Sequence, residues 1–230
     1  GQQGQPSLDI LIDSNIPIAA GLGSGAAVTV AVLRAVSAHF GVDLKPARQS
    51  DLAYQVEVLH HGTPSGIDNT VVAFGQPVYF VRGEPPALMS VGTAFRLVIA
   101  DSGVPSKTGP AVAGVRERWQ ADSPRYDQLF DRIGAIAELA RPLVESGDPA
   151  ELGPLMDENH TLLKEIGVSN EGLDRLAAAA RTAGALGAKL SGAGLGGNVV
   201  CLVPNGQADN VIRILLDAGA VSAFVTEVRA

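Results

Sequence analysis

Three glycines in five residues, Gly21, Gly23 and Gly25 of "AGLGSGAA", separate an alternating apolar run from a long stretch of alanine, valine and leucine. Leu8, Ile10 and Ile12 recur at period two, which predicts a half-buried strand over Leu8–Asp13. From Ala26 to about Phe40 only Arg34 and His39 are strongly polar, so a mostly buried helix is expected, stopped at Gly41. Glycines allow φ > 0 and close approach of the backbone to a ligand, and a helix aims its free N–H groups and positive dipole end back at the loop before it. Two readings stay open on this loop alone: a phosphate cradle, or a glycine turn packed tightly against a neighbour. It is not a Walker A loop, because no Gly-Lys-Ser/Thr closes it, and Ala26 follows Gly21 and Gly23 without the spacing of the dinucleotide fingerprint.

Charge decides what kind of phosphate ligand is in question. The 17 basic and 24 acidic side chains give a net charge of −7, with no Lys/Arg run, so neither nucleic acid nor an anionic membrane is an expected partner. Any phosphate binding must therefore be local. With one cysteine, Cys201, no internal disulfide forms, and no apolar segment reaches the roughly 18 residues that cross a bilayer. A reducing cytoplasm is the expected location. The 46% apolar content of the 230 residues suits a globular core, and the start "GQQGQPSLDIL" lacks an initiator Met, so a further segment is expected upstream.

Downstream, Pro46 opens a helix through "SDLAYQVEVLHH", with Ser50 or Asp51 as candidate caps and Gly62 and Pro64 as its end. Short strands are expected near Pro77–Val81 and over Phe95–Ala100. Helical patterns follow at Gly109–Gln120, Arg125–Ser146, Pro149–Ile166 and Asn170–Gly184. Strands at Lys189–Ser191 and Val199–Val203, a helix at Ala208–Ala218 and a strand at Ser222–Val228 close the chain. The shift from mixed to helix-rich texture suggests two lobes, 1–104 and 105–230.

Three further stretches carry candidate chemistry. In "EVLHHGTPSGIDN", Glu57 and Asp68 are two carboxylates that can converge, Glu57 on a divalent cation and Asp68 on a substrate hydroxyl; a solvated helix residue and a turn residue are the plain alternatives. His60 and His61 face different ways on a helix and have no third ligand at metal-site spacing. "AKLSGAGLGGNVVCLV" places Gly192, Gly194, Gly196 and Gly197 between two strands, more than a hairpin needs, which points to close approach of a phosphate or of a neighbouring segment. Lys189 before it reads as a phosphate contact or as solvated surface, and Cys201 as a small core residue. In "DSGVPSKTG", Lys107 and Thr108 sit at a strand-to-helix junction suited to an anionic substrate, or Thr108 simply caps the helix.

In this order the motifs resemble the GHMP kinase superfamily, whose phosphate loop "PIAAGLGSGAA" and C-terminal glycine motif "KLSGAGLGG" are similar to. Glu57 followed by "HGTPSGIDN", with "GVPSKTGPAVAGVRER" and "MDENHTLLKEIGVSNEGLDRL", is most similar to the mevalonate kinases, and the resemblance covers nearly the whole chain. It implies an α+β fold of two lobes, an incomplete ribosomal-S5-like N-terminal lobe and a ferredoxin-like, helix-wrapped C-terminal lobe. It further implies transfer of the γ-phosphoryl group of ATP to the 5-hydroxyl of mevalonate, with Mg²⁺; other members act on phosphomevalonate, homoserine or sugars, and a non-catalytic binding module is the rival of another class. By the resemblance Asp68 is catalytic, and Pro17, Gly21, Leu22, Gly23, Ser24, Gly25 and Ala26 hold the ATP phosphates. Ser65, Gly66, Thr108, Gly192, Ala193 and Gly194 border the substrate, and Glu57 and Ser24 meet the metal. Gly25 stands where the family usually has a second serine that meets Mg²⁺. The family's first motif, with a lysine and a histidine near the substrate, would lie upstream of Gly1, so a chain of this sequence alone is expected to be poorly active. Oligomeric state is left open, a homodimer included.

Overall fold

The computed structural model describes residues 8–14, 16, 21–61, 64–106 and 108–230. By contact the chain forms two compact units, residues 1–18 with 23–75, and residues 19–22 with 76–230. The division falls after Gly75 and not near residue 105, because the strand over Phe95–Asp101 is an inner member of the C-terminal sheet.

The first unit is built on three helices, α1 (Ser24–His39), α2 (Pro46–His61) and α3 (Ile67–Phe74). Val30, Ala53 and Ala73 form its small core, with Val72 packed against them. Pro46 begins α2 with its φ already set for a helix. Ser50 and Asp51 consequently lie inside the helix and do not cap it: Asp51 is exposed, while Ser50 is buried and faces α3. There the Asn69 amide donates to the Ser50 carbonyl (3.1 Å) and Oγ (2.9 Å), and the Thr70 hydroxyl donates to the Gly66 carbonyl (2.6 Å). Arg34 of α1 binds Gln49 Oε1 (2.8 Å) and the Ala73 carbonyl (2.8 Å), which closes the C-terminal end of α3. These polar contacts join all three helices where the apolar core is thin.

Two expectations for this unit are corrected. Leu8–Asp13 forms no strand: its residues are exposed, Leu11 to 95%, and no ladder partner lies among the described residues. Alternation marks a chain fit for a sheet, but pairing makes the strand. Helix α1 begins and ends close to its expected bounds, yet only Ala26 and Val30 are fully buried, because its described neighbours cover one side. Ile10, Ile12 and Ile16 line a cleft of about 350 Å³ with Ala27, Ala31 and Ala35 of α1.

In the second unit a two-stranded ribbon, β1 (Val78–Tyr79) with β2 (Ala87–Leu88), precedes the main sheet. Along the chain come β3 (Phe95–Asp101), α4 (Thr108–Ala121), α5 (Ser123–Ser146), α6 (Leu152–Glu165), α7 (Glu171–Thr182), β4 (Gly187–Ser191), β5 (Asn198–Val203), α8 (Ala208–Asp217) and β6 (Ser222–Val228). The strands order β4-β5-β3-β6 with every neighbour antiparallel, the ferredoxin-like arrangement expected. Asn170 caps α7 by accepting from the Leu173 N–H (2.9 Å), and the Arg118 guanidinium of α4 caps α6 at the Ile166 carbonyl (3.0 Å). Strand periodicity puts Val98, Ala100, Ala188, Leu190, Val199 and Cys201 on one face, where they meet Leu173, Leu176 and Ala180 of α7 and Val211 and Leu215 of α8. Cys201 is the core residue expected, and burial pushes its thiol up to about 12.

Strand β4 is an edge, and α6 covers it. Gly153, Asp157 and His160 recur at helical spacing on the side of α6 that meets β4. A side chain at Gly153 would strike the Leu186 carbonyl and one at Gly187 would strike Gly153, so the two backbones touch. Further along, Asp157 Oδ1 accepts the Ala188 N–H (2.8 Å) and His160 Nδ1 accepts the Leu190 N–H (3.2 Å). The outward N–H groups that would otherwise invite another strand are thus satisfied by side chains.

His160 must be neutral to accept that bond. Burial lowers its pKa from the ordinary 6.5, with Arg181 and Lys189 adding to the shift and Asp174 opposing it. Its Nε2 lies 3.2 Å from Asp174 Oδ1 but off the hydrogen-bond line, so the contact is electrostatic. Burial would raise the Asp174 pKa, yet hydrogen bonds from Lys164 and Ser169 outweigh it and hold the carboxyl below its ordinary 3.8. Because the unfolded chain protonates His160 more readily than the folded one, its contribution is complete above 6.5 and declines as pH falls from there toward the lower folded value. Asp174 adds a loss only at much lower pH. Urea unfolding of His160→Leu at pH 7.5 is expected to show a loss of about 1–3 kcal/mol, from the orphaned Leu190 N–H, together with a shallower decline below pH 6.5.

Candidate functional site

Helix α1 starts at Ser24 behind Gly23, which holds φ 65 and ψ 28 in the left-handed region. The first intrahelical bond runs from the Ala27 N–H to the Gly23 carbonyl (2.9 Å), so the N–H groups of Ser24, Gly25 and Ala26 precede the ladder and point out of the helix end. No side chain among the described residues caps this terminus. An uncapped N-terminus at the end of a 16-residue helix has the donors and the dipole for an anion.

Two carboxylates flank it. A Cβ built on Gly23 would lie 3.4 Å from Asp68 Cγ, and one built on Gly25 would lie 3.0 Å from Glu57 Oε1. Glu57 comes from the last turn and a half of α2 and is half-buried. Asp68 is the second residue of α3, exposed, in the first helical turn where the dipole favours a carboxylate. The sequence left Asp68 as a carboxylate for a substrate hydroxyl or as a turn residue; it lies in the first turn of α3, whose N-cap Gly66 holds φ 90. Ser65 belongs to the turn before it, its hydroxyl accepting the Ile67 N–H (3.3 Å). Gly23, Ser24, Gly25, Ala26, Glu57 and Asp68 therefore form one cluster inside the first unit, and Ser65 and Gly66 set the entry of its catalytic candidate.

The second unit holds the rest. Gly21 packs on Gly192, with a Cβ on the former 3.5 Å from the latter's Cα, and Leu22 follows in the same unit. Within the second unit this contact sets Gly21 against the C-terminal glycine motif, backbone against backbone. The turn from Gly192 to Gly197 is pinned at several atoms: the Ser106 hydroxyl donates to the Gly194 carbonyl (2.9 Å), the Leu195 N–H to Val168 O (2.7 Å) and the Gly197 N–H to Val104 O (2.7 Å). A side chain at Gly194 would collide with the Val168 carbonyl. Leu195, at φ 57, is the one non-glycine with positive φ among the described residues, a strained position held by these bonds. Ala193 is half-buried in the turn, and Thr108 opens α4 two residues after Ser106, exposed. Pro17 and Lys107 lie outside the described residues, as do the side chains of His60 and His61. Lys189 is neither solvated surface nor part of this turn: it lines a cavity against α5 and α6.

Sequence reasoning missed Ser106, Asn69, Thr70 and Arg34. Ser106, Asn69 and Arg34 bond residues far along the chain and Thr70 meets the distant Ser50 hydroxyl besides the nearby Gly66 carbonyl, and the one local signal was the polar "DNT" directly after "SGI". No group of three or more His, Cys, Asp or Glu suited to a metal occurs among the described residues, so a cation here would rest on one or two carboxylates, hydroxyls and water, the ligand set magnesium accepts.

A helix-capped glycine loop flanked by two carboxylates, followed by a ferredoxin-like sheet with a second glycine turn, has counterparts. Residues 1–76 match the family described as GHMP kinases N terminal domain, and residues 135–221 match GHMP kinases C terminal. The chain belongs to the GHMP kinases. Mevalonate kinase of Thermococcus sibiricus is 38% identical over 220 residues, which are 94% of this chain and 66% of that protein. Mevalonate kinase of Pyrococcus horikoshii is 38% identical over 219 residues, 92% of this chain and 64% of its own. Among solved structures, L. major mevalonate kinase in complex with R-mevalonate superimposes with a TM-score of 0.82 at 31% identity, covering 90% of this chain and 65% of that one. The chain thus spans just under two thirds of the length of these relatives.

Gly23→Ala forces a side chain into a left-handed backbone and against Asp68. Urea unfolding should show a loss of about 1–2 kcal/mol, the cost of left-handed φ for a residue with Cβ.

Proposed function

We propose that this chain carries the phosphate and substrate machinery of a mevalonate kinase, transferring the γ-phosphoryl group of ATP to the 5-hydroxyl of mevalonate. The observation that carries the reading is the pair of carboxylates at the α1 terminus, Asp68 beside Gly23 and Glu57 beside Gly25. The mevalonate kinases among its relatives and the R-mevalonate complex of the L. major enzyme support the choice of alcohol.

The N–H groups of Ser24, Gly25 and Ala26 bind phosphate oxygens, and the helix dipole stabilises their charge. Asp68, exposed at the α3 terminus, accepts and orients the proton of the attacking hydroxyl as its oxygen bonds to the γ-phosphorus and the bond to the β-phosphate oxygen breaks. Glu57 offers oxygen ligands to Mg²⁺, with Ser24 as a hydroxyl donor; that ion, when bound, neutralises phosphate charge. Gly25 leaves Glu57 Oε1 only 3.0 Å from where a Cβ would stand, so the carboxylate occupies space that a serine side chain would claim. Little covalent chemistry is asked of the protein; positioning and charge carry the transfer.

Coupled ADP-release assays with mevalonate, phosphomevalonate, homoserine and galactose test the substrate, and turnover of another alcohol without mevalonate overturns the assignment. Asp68→Asn is expected to lower kcat by about 10²–10⁴-fold while nucleotide affinity, read by calorimetry, stays within about two-fold. Glu57→Gln is expected to raise the Mg²⁺ concentration for half-maximal activity, and an unchanged titration removes its metal role. Nucleotide and mevalonate binding with no transfer in any form of the protein would favour a binding module.

A further inference from the structure

We propose that the cavity between α5, α6 and β4 is a binding site for a small amphipathic carboxylate, its apolar body between the two helices and its carboxylate on the Lys189 ammonium. This site goes beyond the kinase reading and shares no residue with it.

The cavity has a volume of about 230 Å³. Ala137 and Ala140 on α5, at a spacing of three residues, line it together with Leu155 and Met156 of α6, and their short side chains leave room between the two helices. The lining is almost entirely apolar; its polar groups are Asn159 and Lys189. A void of this size lies below the roughly 300–1,000 Å³ of pockets for drug-sized ligands, which selects a short body.

Lys189 is placed there by the strand. Ala188 and Leu190 on either side point into the sheet–helix core, so the side chain between them leaves from the opposite face. Its Nζ donates to the Leu190 carbonyl (2.9 Å), which uses one of three N–H donors. Among the described residues no carboxylate pairs with it. Along the same outward edge of β4, His160 is neutral and Arg181 is occupied by Asp157 (3.1 Å). Burial therefore pushes the ammonium down to about 8, with no opposing charge to restore it. An ammonium of this kind gains most from an anion that brings its own apolar cover, because a charge-assisted bond then forms away from water. Acetate lacks the apolar body, and an alcohol lacks the charge.

Hexanoate, hexanol and acetate are titrated by calorimetry into the 230-residue chain without nucleotide or mevalonate. Hexanoate is expected to bind at least about ten-fold more tightly than either of the others, the ratio that one charge-assisted bond supports. Its affinity should fall as pH rises above about 8, where Lys189 loses its proton, with no such trend for hexanol. Lys189→Met should bring hexanoate to the level of hexanol, and Ala140→Leu, which fills the void, should abolish both. Circular dichroism confirms folding; should Lys189→Met unfold, the pH profile of the unaltered chain and Ala140→Leu decide. Equal affinity for hexanoate and hexanol, or binding of neither to folded protein, overturns the proposal. So does hexanoate binding that survives Ala140→Leu and is displaced by mevalonate, since that places the ligand in the kinase site; loss of kinase activity in any assay leaves this result untouched.

Discussion

The acceptance of two β4 backbone N–H groups by side chains of α6 is the constraint on which the second unit turns. Asp157 and His160 do for an edge strand what a further strand would otherwise do, and they fix α6 in register with it at Ala188 and Leu190. With β4 set at those atoms, the chain leaves the sheet at Ser191 in a fixed direction, and the glycine turn from Gly192 meets Gly21 on one side and Ser106, Val104 and Val168 on the other. The same register places Lys189 between the two residues so held and directs it away from the core. One set of hydrogen bonds thus governs both the turn of the kinase motif and the cavity beside α5.

In the first unit polar side chains carry still more of the positioning. Among the described residues its apolar core is three residues and a neighbour, too little to orient helices sharply, and the orientation comes from polar side chains. Arg34 holds the end of α3, while Ser50, Asn69 and Thr70 hold its beginning. Because Asp68 lies one residue before Asn69, the network that positions the helix also positions the carboxylate.

Much of this was legible in the sequence where the signal was local. Helices opened by Pro46 and Asn170 and the strands over Phe95–Asp101 and Ser222–Val228 emerge close to their expected bounds, since caps and alternation act within a few residues. Helix α3 was not legible: it has eight residues, begins at a left-handed glycine, and is held by Ser50, 19 and 20 positions away from its partners. Leu8–Asp13 failed for the complementary reason, since its alternation is real and its partner strand is not among the described residues. At the candidate site, motifs singled out Glu57, Asp68 and the glycines, but that Asp68 stands beside Gly23 and Glu57 beside Gly25 at one helix end rests on tertiary packing, as does the reassignment of Lys189.

The backbone contact between Gly153 and Gly187 has a bearing on how such a chain can change over time. Most core contacts tolerate an enlarged residue on one side if the other shrinks in step. Here both partners already lack a side chain, and each would strike main-chain atoms of the other's segment. No substitution opposite either position can make room, so the two glycines have no compensated route of exchange. A lineage that keeps α6 on the β4 edge must keep both, whatever happens to the residues around them.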